Sequence, residues 1–131
     1  MARILVVEDD KMFLRVVEKI LKDQCPSYEI ETAPNGLEAL RKILLSQKQF
    51  DIIVADVDMQ PVNGDDLDAI VGMLNRRKVV TTKTLLMSGK VGKRPGDYIE
   101  KPFTPDELGA KIGEILDREE RTEYSKKKNH L

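Results

Sequence analysis

The chain has 131 residues, the length of one domain with a single substantial core. Apolar residues make up 40% of it but include only three Phe, three Tyr and no Trp, so aliphatic side chains must fill that core. Its 22 Lys and Arg nearly cancel 23 Asp and Glu, leaving a formal charge of -1 at pH 7, which gives no electrostatic footprint for nucleic acid or a membrane surface.

Ile4-Leu5-Val6-Val7 opens the chain as a continuous aliphatic run, the pattern of a strand buried on both faces. It is too short for a signal peptide or a membrane span. The one cysteine, Cys25, has no internal disulfide partner, and a reducing, cytoplasmic location is expected. After Glu8-Asp9-Asp10, the residues Phe13, Val16, Val17, Ile20 and Leu21 recur at helical spacing until Pro26 stops the helix. Glu29 to Ala33 reads as a second strand with Ile30 inside. Pro34-Asn35-Gly36 turns the chain into a helix carrying Leu37, Leu40, Ile43 and Leu44.

Phe50 to Ala55 is the third strand, and Leu67, Ile70, Val71 and Leu74 form the next helical stripe. Thr84 to Met87 and a short run around Tyr98-Ile99 are the last two strands. Thr104-Pro105-Asp106-Glu107 starts the final helix, with Thr104 as cap, Pro105 where its missing N–H is harmless and Glu107 completing a capping box. Leu108, Ile112, Ile115 and Leu116 face inward on it. From about Asp117 the chain turns polar and runs through Lys126-Lys127-Lys128, as a frayed helix end or mobile tail would. Residues 1–120 are read as the domain and 121–131 as a polar C-terminal tail. The alternation of strand and helix predicts an α/β fold, a parallel sheet covered by helices on both faces. One segment breaks it: the eight residues Gly89 to Gly96 hold three glycines and a proline. A parallel crossover normally needs at least about ten to twelve residues, helix included, so a loop is predicted.

Ligands of open parallel sheets bind at the carboxyl ends of the strands. Those ends carry Glu8-Asp9-Asp10, Asp56 and Asp58, Ser88, and Lys101. Two carboxylates about 5 Å apart repel by roughly 3 kcal/mol at an effective dielectric near 20, so a cluster of three needs a cation. Hard oxygens without His or Cys favour Mg²⁺. A carboxylate beside such an ion can attack phosphorus, with Lys101 and Ser88 supplying a charge and a hydrogen bond to phosphoryl oxygens. Taken singly, each of these residues has a plainer role as a turn, a cap or a surface charge. Their conjunction at one end of four strands is what points to chemistry.

From Arg3 to about Leu116 the chain resembles the receiver domains of two-component response regulators. The likeness rests on Ile4-Leu5-Val6-Val7-Glu8-Asp9-Asp10, Ala33 to Leu40, Phe50 to Met59 with Gly64 following, Leu86-Met87-Ser88-Gly89, and Asp97 to Phe103 with its Lys101-Pro102-Phe103. The resemblance implies a flavodoxin-like, doubly wound, five-stranded parallel sheet of order 2-1-3-4-5, here with the helix between strands 4 and 5 missing or much shortened. It implies that Asp56 is the phosphoacceptor. Asp9 and Asp56 would bind Mg²⁺ directly, Glu8 would act through water, and Asp58 would offer its backbone carbonyl. Lys101 would pair with the phosphoryl group, Ser88 would turn toward it, and Tyr98 would be the aromatic switch that follows Ser88 inward. The phosphodonor would be a phosphohistidine on a sensor histidine kinase or a histidine phosphotransfer protein, and phosphorylation would alter binding to an output protein not named by the sequence. Asp10 is read as a helix cap.

Two departures stand out. Gln60 separates Met59 from Pro61 where the family has Met-Pro, so an altered loop shape is expected. The short segment 89–96 leaves little room for the fourth helix, and Lys90, Lys93 and Arg94 are expected on a mobile loop near the acid site that orders on phosphorylation. An Asp58–Lys90 ion pair over the site is a further expectation. Asp56-Val57-Asp58 also resembles the nucleophile motif of haloacid dehalogenase-type phosphohydrolases, which need a later acidic pair, here Asp65-Asp66 or Asp106-Glu107. Another rival is a degenerate receiver that binds a partner without being phosphorylated. A histidine phosphotransfer role fails on the position of the single histidine, His130. The expectation is a signalling phosphoacceptor rather than a turnover enzyme.

Overall fold

The computed structural model describes residues 2–90 and 92–129. It contains β1 (Arg3–Val7), α1 (Lys11–Gln24), β2 (Glu29–Ala33), α2 (Gly36–Leu45), β3 (Ile52–Asp56), α3 (Gly64–Arg76), β4 (Lys83–Ser88), β5 (Tyr98–Glu100) and α4 (Pro105–Asn129). The five strands form one sheet in the order β2-β1-β3-β4-β5, with every neighbouring pair parallel. The predicted fold class and strand order both hold. No helix of the described residues is long and apolar enough to cross a membrane.

Side chains alternate across the sheet and divide the core in two. Leu5, Val7, Ile53, Ala55 and Leu86 pack with Ala39 and Ile43 of α2 and with Leu67 and Val71 of α3. Ile4, Val6, Ile52, Val54, Leu85, Met87 and Ile99 pack with Val17 and Leu21 of α1 and with Leu108, Ile112 and Ile115 of α4. The central strands β1 and β3 are covered on both sides, which is why they are uninterrupted aliphatic runs.

Caps set where the helices begin. Asp10 accepts the N–H groups of Met12 and Phe13, at 3.0 and 3.2 Å, and Asn35 accepts that of Glu38 at 2.8 Å. Asn63 and Asp66 form a reciprocal capping box on α3. At α4 Thr104 Oγ1 accepts the Glu107 N–H at 3.1 Å as predicted, while the return bond from Thr104 N–H to the Glu107 side chain, which would complete the box, is not among the hydrogen bonds of the described residues. α4 then continues past its last inward-facing residues to Asn129, through the segment that reads as a tail in the sequence. His130 lies outside the described residues.

Three residues of the predicted apolar stripes face outward: Val16, Leu37 and Leu44 are 50%, 53% and 59% exposed. A helix against a flat sheet buries a narrower arc than the full set of apolar positions offers, and these three lie beyond it. Phe50, assigned to the third strand from its sequence, precedes β3 but is buried nonetheless.

Between β4 and β5 no helix forms among the described residues, as predicted. The crossover stays short because β5 is short. Its three residues pair only with Leu86, Met87 and Ser88 at the end of β4, so the chain must travel back by roughly 7–10 Å rather than a full strand length. The positive φ angles of Gly92 and Gly96, 128° and 79°, make that turn. The expected Asp58–Lys90 pair is absent from the ion pairs of the described residues, and Arg94 is held by Asp65 in the first turn of α3.

Two predictions follow from this packing. A Cβ on Gly64 would come within 2.4 Å of the Asp56 carbonyl oxygen, so Gly64→Ala should lower unfolding free energy by about 1–3 kcal/mol; an unchanged urea midpoint would show that α3 can back away freely. The Arg94–Asp65 pair is partly exposed, so Arg94→Ala should cost under about 1 kcal/mol globally while amide protection across residues 92–97 drops. Protection equal to that of the unsubstituted chain would mean that other contacts hold the loop.

Candidate functional site

The register brings the strand ends together. Val7 pairs with Ala55, Asp56 with Met87, and Ser88 with Glu100. Glu8, Asp56, Ser88 and Lys101 therefore emerge side by side at one edge of the sheet. Glu8 is 2% exposed, Asp56 5% and Ser88 1%. Asp9 is exposed at their rim. One carboxylate oxygen from each of Glu8, Asp9 and Asp56 lies within 4.8 Å of the other two.

Lys101 is the counter-charge. Its Nζ stands 3.1 Å from Asp56 Oδ1 and 3.7 Å from Glu8 Oε2. Its backbone N–H donates to the Ser88 carbonyl at 2.7 Å, which ties the lysine to the end of β4. The Lys101–Pro102 peptide is cis, as is Gln60–Pro61 in the loop after Asp56. Three carboxylates and one ammonium leave two negative charges, the charge one divalent cation would cancel.

Glu8 shows the strain of this arrangement. Its pKa is pushed up to about 7, chiefly because burial removes water from the carboxylate, with the nearby Asp56 charge adding to the effect. The Asp10 N–H, 3.1 Å from Glu8 Oε1, and the Lys101 ammonium work in the opposite direction. Glu8 Oε2 is buried without a hydrogen-bond donor. An unmatched acceptor among hard oxygen ligands, with no His or Cys beside them, suits Mg²⁺.

The remaining predicted residues take distinct places. Asp58 is exposed, and its backbone N–H points to Asp56 Oδ1 at 3.4 Å; its side chain is not part of the acid cluster. Ser88 Oγ accepts the Lys90 N–H at 3.2 Å. Tyr98 is half-buried and packs against the core on the α2 and α3 face. Asp10 is the cap it was read to be. Asp65-Asp66 and Asp106-Glu107 sit in the first turns of α3 and α4 and do not join the acid cluster.

One participant escaped the sequence, and a second was noted there only for its spacing. Phe13, read simply as an apolar helix position, lies with its ring centroid 4.4 Å from Lys101 Nζ. Gly64 lets the first turn of α3 rest on the Asp56 carbonyl and donates its N–H to Val57 O at 3.2 Å. The pattern Asn63-Gly64-Asp65-Asp66 carries the capping-box signal that would have placed it.

Known proteins share this layout. The response regulator receiver domain family matches residues 4–113. The two-component response regulator ARR11 of Arabidopsis thaliana is 36% identical over 110 residues, covering 81% of this chain and 21% of its own length. The transcriptional regulatory protein ResD of Bacillus subtilis (strain 168) is 29% identical over 129 residues, covering 93% of this chain and 51% of its own. The chain thus spans about half the length of these curated relatives, or less. Among solved structures, a CheY-like response regulator receiver domain protein from Methanospirillum hungatei JF-1 superposes with a TM-score of 0.77 at 28% identity, over 93% of this chain and 98% of that one. With the family matched over most of its length and the acids, hydroxyl and lysine gathered at one sheet edge, the chain belongs to the response regulator receiver domains of two-component signalling.

Proposed function

We propose that this domain accepts a phosphoryl group on Asp56 from a phosphohistidine of a sensor histidine kinase or a histidine phosphotransfer protein, in a Mg²⁺-dependent transfer. The observation that carries the reading is Asp56 itself: a nearly buried carboxylate with one oxygen 3.1 Å from an ammonium and two further carboxylates within 4.8 Å.

In the transfer a carboxylate oxygen of Asp56 forms the new bond to phosphorus. The phosphorus–nitrogen bond of the donor breaks, and its electron pair leaves with the imidazole, which takes up a proton. Glu8, Asp9 and Asp56 would hold Mg²⁺, with the backbone carbonyl of Asp58 completing the set by family resemblance. When bound, the ion offsets negative charge on the phosphoryl oxygens. The Lys101 ammonium, 3.1 Å from Asp56 Oδ1, would pair with one phosphoryl oxygen. Ser88 would release the Lys90 N–H and donate its own hydroxyl proton to another. By family resemblance Tyr98 would follow Ser88 inward, altering the surface that an output partner reads. The domain is consumed stoichiometrically in this reaction and does not turn over a substrate.

Incubation with acetyl phosphate and Mg²⁺ should convert the chain to a species retarded in phosphate-affinity electrophoresis, and Asp56→Asn should abolish it. A chain that stays unmodified would instead fit the degenerate receiver, and turnover of p-nitrophenyl phosphate would fit the phosphohydrolase. A second expectation concerns Glu8. Its carboxyl titrates near 4.5 unfolded and near 7 folded, so between those values the native state holds an extra proton and stability falls as pH rises. In metal-free buffer Glu8→Gln should therefore be more stable by about 1–3 kcal/mol at pH 8, a gain that shrinks toward pH 5. Added Mg²⁺ should stabilise the unsubstituted protein more than the variant. Urea unfolding at both pH values checks this, and a gain of equal size at pH 5 would contradict it.

A further inference from the structure

Lys101 is held from two sides. Asp56 and Glu8 face its ammonium at 3.1 and 3.7 Å. The ring of Phe13 meets it as well, its centroid 4.4 Å from Nζ. That ring is fixed in its turn. Phe103 meets it edge-on, with centroids 6.1 Å apart and planes at 62°. The Phe13 backbone N–H is tied to the Asp10 cap at 3.2 Å, and the side chain packs against the core shared by α1 and α4.

An aromatic face attracts a cation through its quadrupole but carries no net charge and forms no competing ion pair. A third carboxylate in the same place would hold the lysine by drawing it off Asp56. An aliphatic side chain would leave the flexible four-carbon stem free to lift its strongly hydrated ammonium toward water. The ring does neither, and Lys101 is only a quarter exposed, so the attraction operates largely out of water.

We propose that Phe13 is a positioning residue for Lys101, its ring forming the floor that keeps the ammonium aimed at Asp56 and at phosphoryl oxygens attached there. This deepens the phosphoacceptor reading and rests on it. The first turn of α1 then serves the site twice: Asp10 fixes where the ring sits, and the ring fixes where the charge sits.

The test uses the full chain. Initial phosphorylation rates with acetyl phosphate and Mg²⁺ are compared for the unsubstituted protein, Phe13→Leu, Phe13→Tyr, Lys101→Met and the Phe13→Leu/Lys101→Met double variant. NMR of the unphosphorylated protein follows the ε-methylene protons of Lys101, which a ring beneath them shifts upfield. Phe13→Leu keeps apolar volume but has no π face, and it should slow phosphorylation by roughly threefold to tenfold. Phe13→Tyr should restore the rate to within about twofold, because the face is retained. In the Lys101→Met background Phe13→Leu should change nothing further, and the upfield shift should vanish in Phe13→Leu. An equal slowing in the Lys101→Met background would overturn the proposal, since it would mark a packing effect. So would ordinary Lys101 shifts in the unsubstituted protein, a reading that needs no variant to fold. If the unsubstituted protein takes no phosphoryl group, the phosphoacceptor reading falls, while the Lys101 shifts still decide whether Phe13 holds the ammonium.

Discussion

Glu8 and Asp56 are carboxylates almost shut off from water, and the ammonium of Lys101 reaches both. Burial of like charges side by side is costly unless something of opposite sign is brought to them. Much of the local architecture serves that requirement. Parallel pairing in register delivers the strand ends to one edge. Asp10 starts α1 immediately after the acids, taking the Met12 and Phe13 N–H groups on its side chain and donating its own N–H to Glu8 Oε1. The missing Cβ of Gly64 lets α3 begin against the Asp56 carbonyl, so the loop after β3 cannot drift off the site. One lysine still leaves the cluster two charges short, and the elevated pKa of Glu8 with its unmatched oxygen expresses that shortfall.

How much of this is legible in the sequence follows from which features are local. Aliphatic runs in β1 and β3, helical stripes in α1 and α4 and the cap residues each depend on neighbours within a few positions, and they emerged where expected. The acid site was readable for a different reason: in a parallel sheet a residue just past a strand lands at a known edge, so Glu8, Asp56, Ser88 and Lys101 could be assigned to one place without knowing any distance. What the sequence hid was partner choice. Arg94 could have turned to several acids, and its partner Asp65 lies 29 positions away. Val16, Leu37 and Leu44 fit the helical period yet face outward, because period fixes a stripe and not the width of sheet that covers it. Phe13 looked like ordinary core for the same reason; its ring borders both the core and a charge.

The crossover between β4 and β5 shows length and topology acting on each other. A parallel return without a helix is feasible here because β5 contributes three residues, all paired at the carboxyl end of β4. Two contacts then close the loop onto the site. Lys90 donates its N–H to Ser88 Oγ at the start, and Arg94 is bound by Asp65 beyond the middle. Asp65 follows Gly64, which touches Asp56. Contacts therefore link the Asp56 carbonyl through the first turn of α3 to Arg94, and the Ser88 hydroxyl to Lys90 at the other end of the loop.

Those contacts change what a movement of Ser88 must entail. The hydroxyl can donate its proton and still accept the Lys90 N–H, but a rotation about the Ser88 Cα–Cβ bond would carry Oγ away from that N–H. Releasing that N–H frees the start of the loop, while the ion pair to Asp65 still holds it further along. A shift at Ser88 would therefore act first on Lys90, ahead of the Arg94–Asp65 pair. In a fold with a full helix at this position the same displacement would be spread over many packed side chains. Here it would fall on a glycine-rich segment that Arg94 joins to α3, the helix that rests on Asp56.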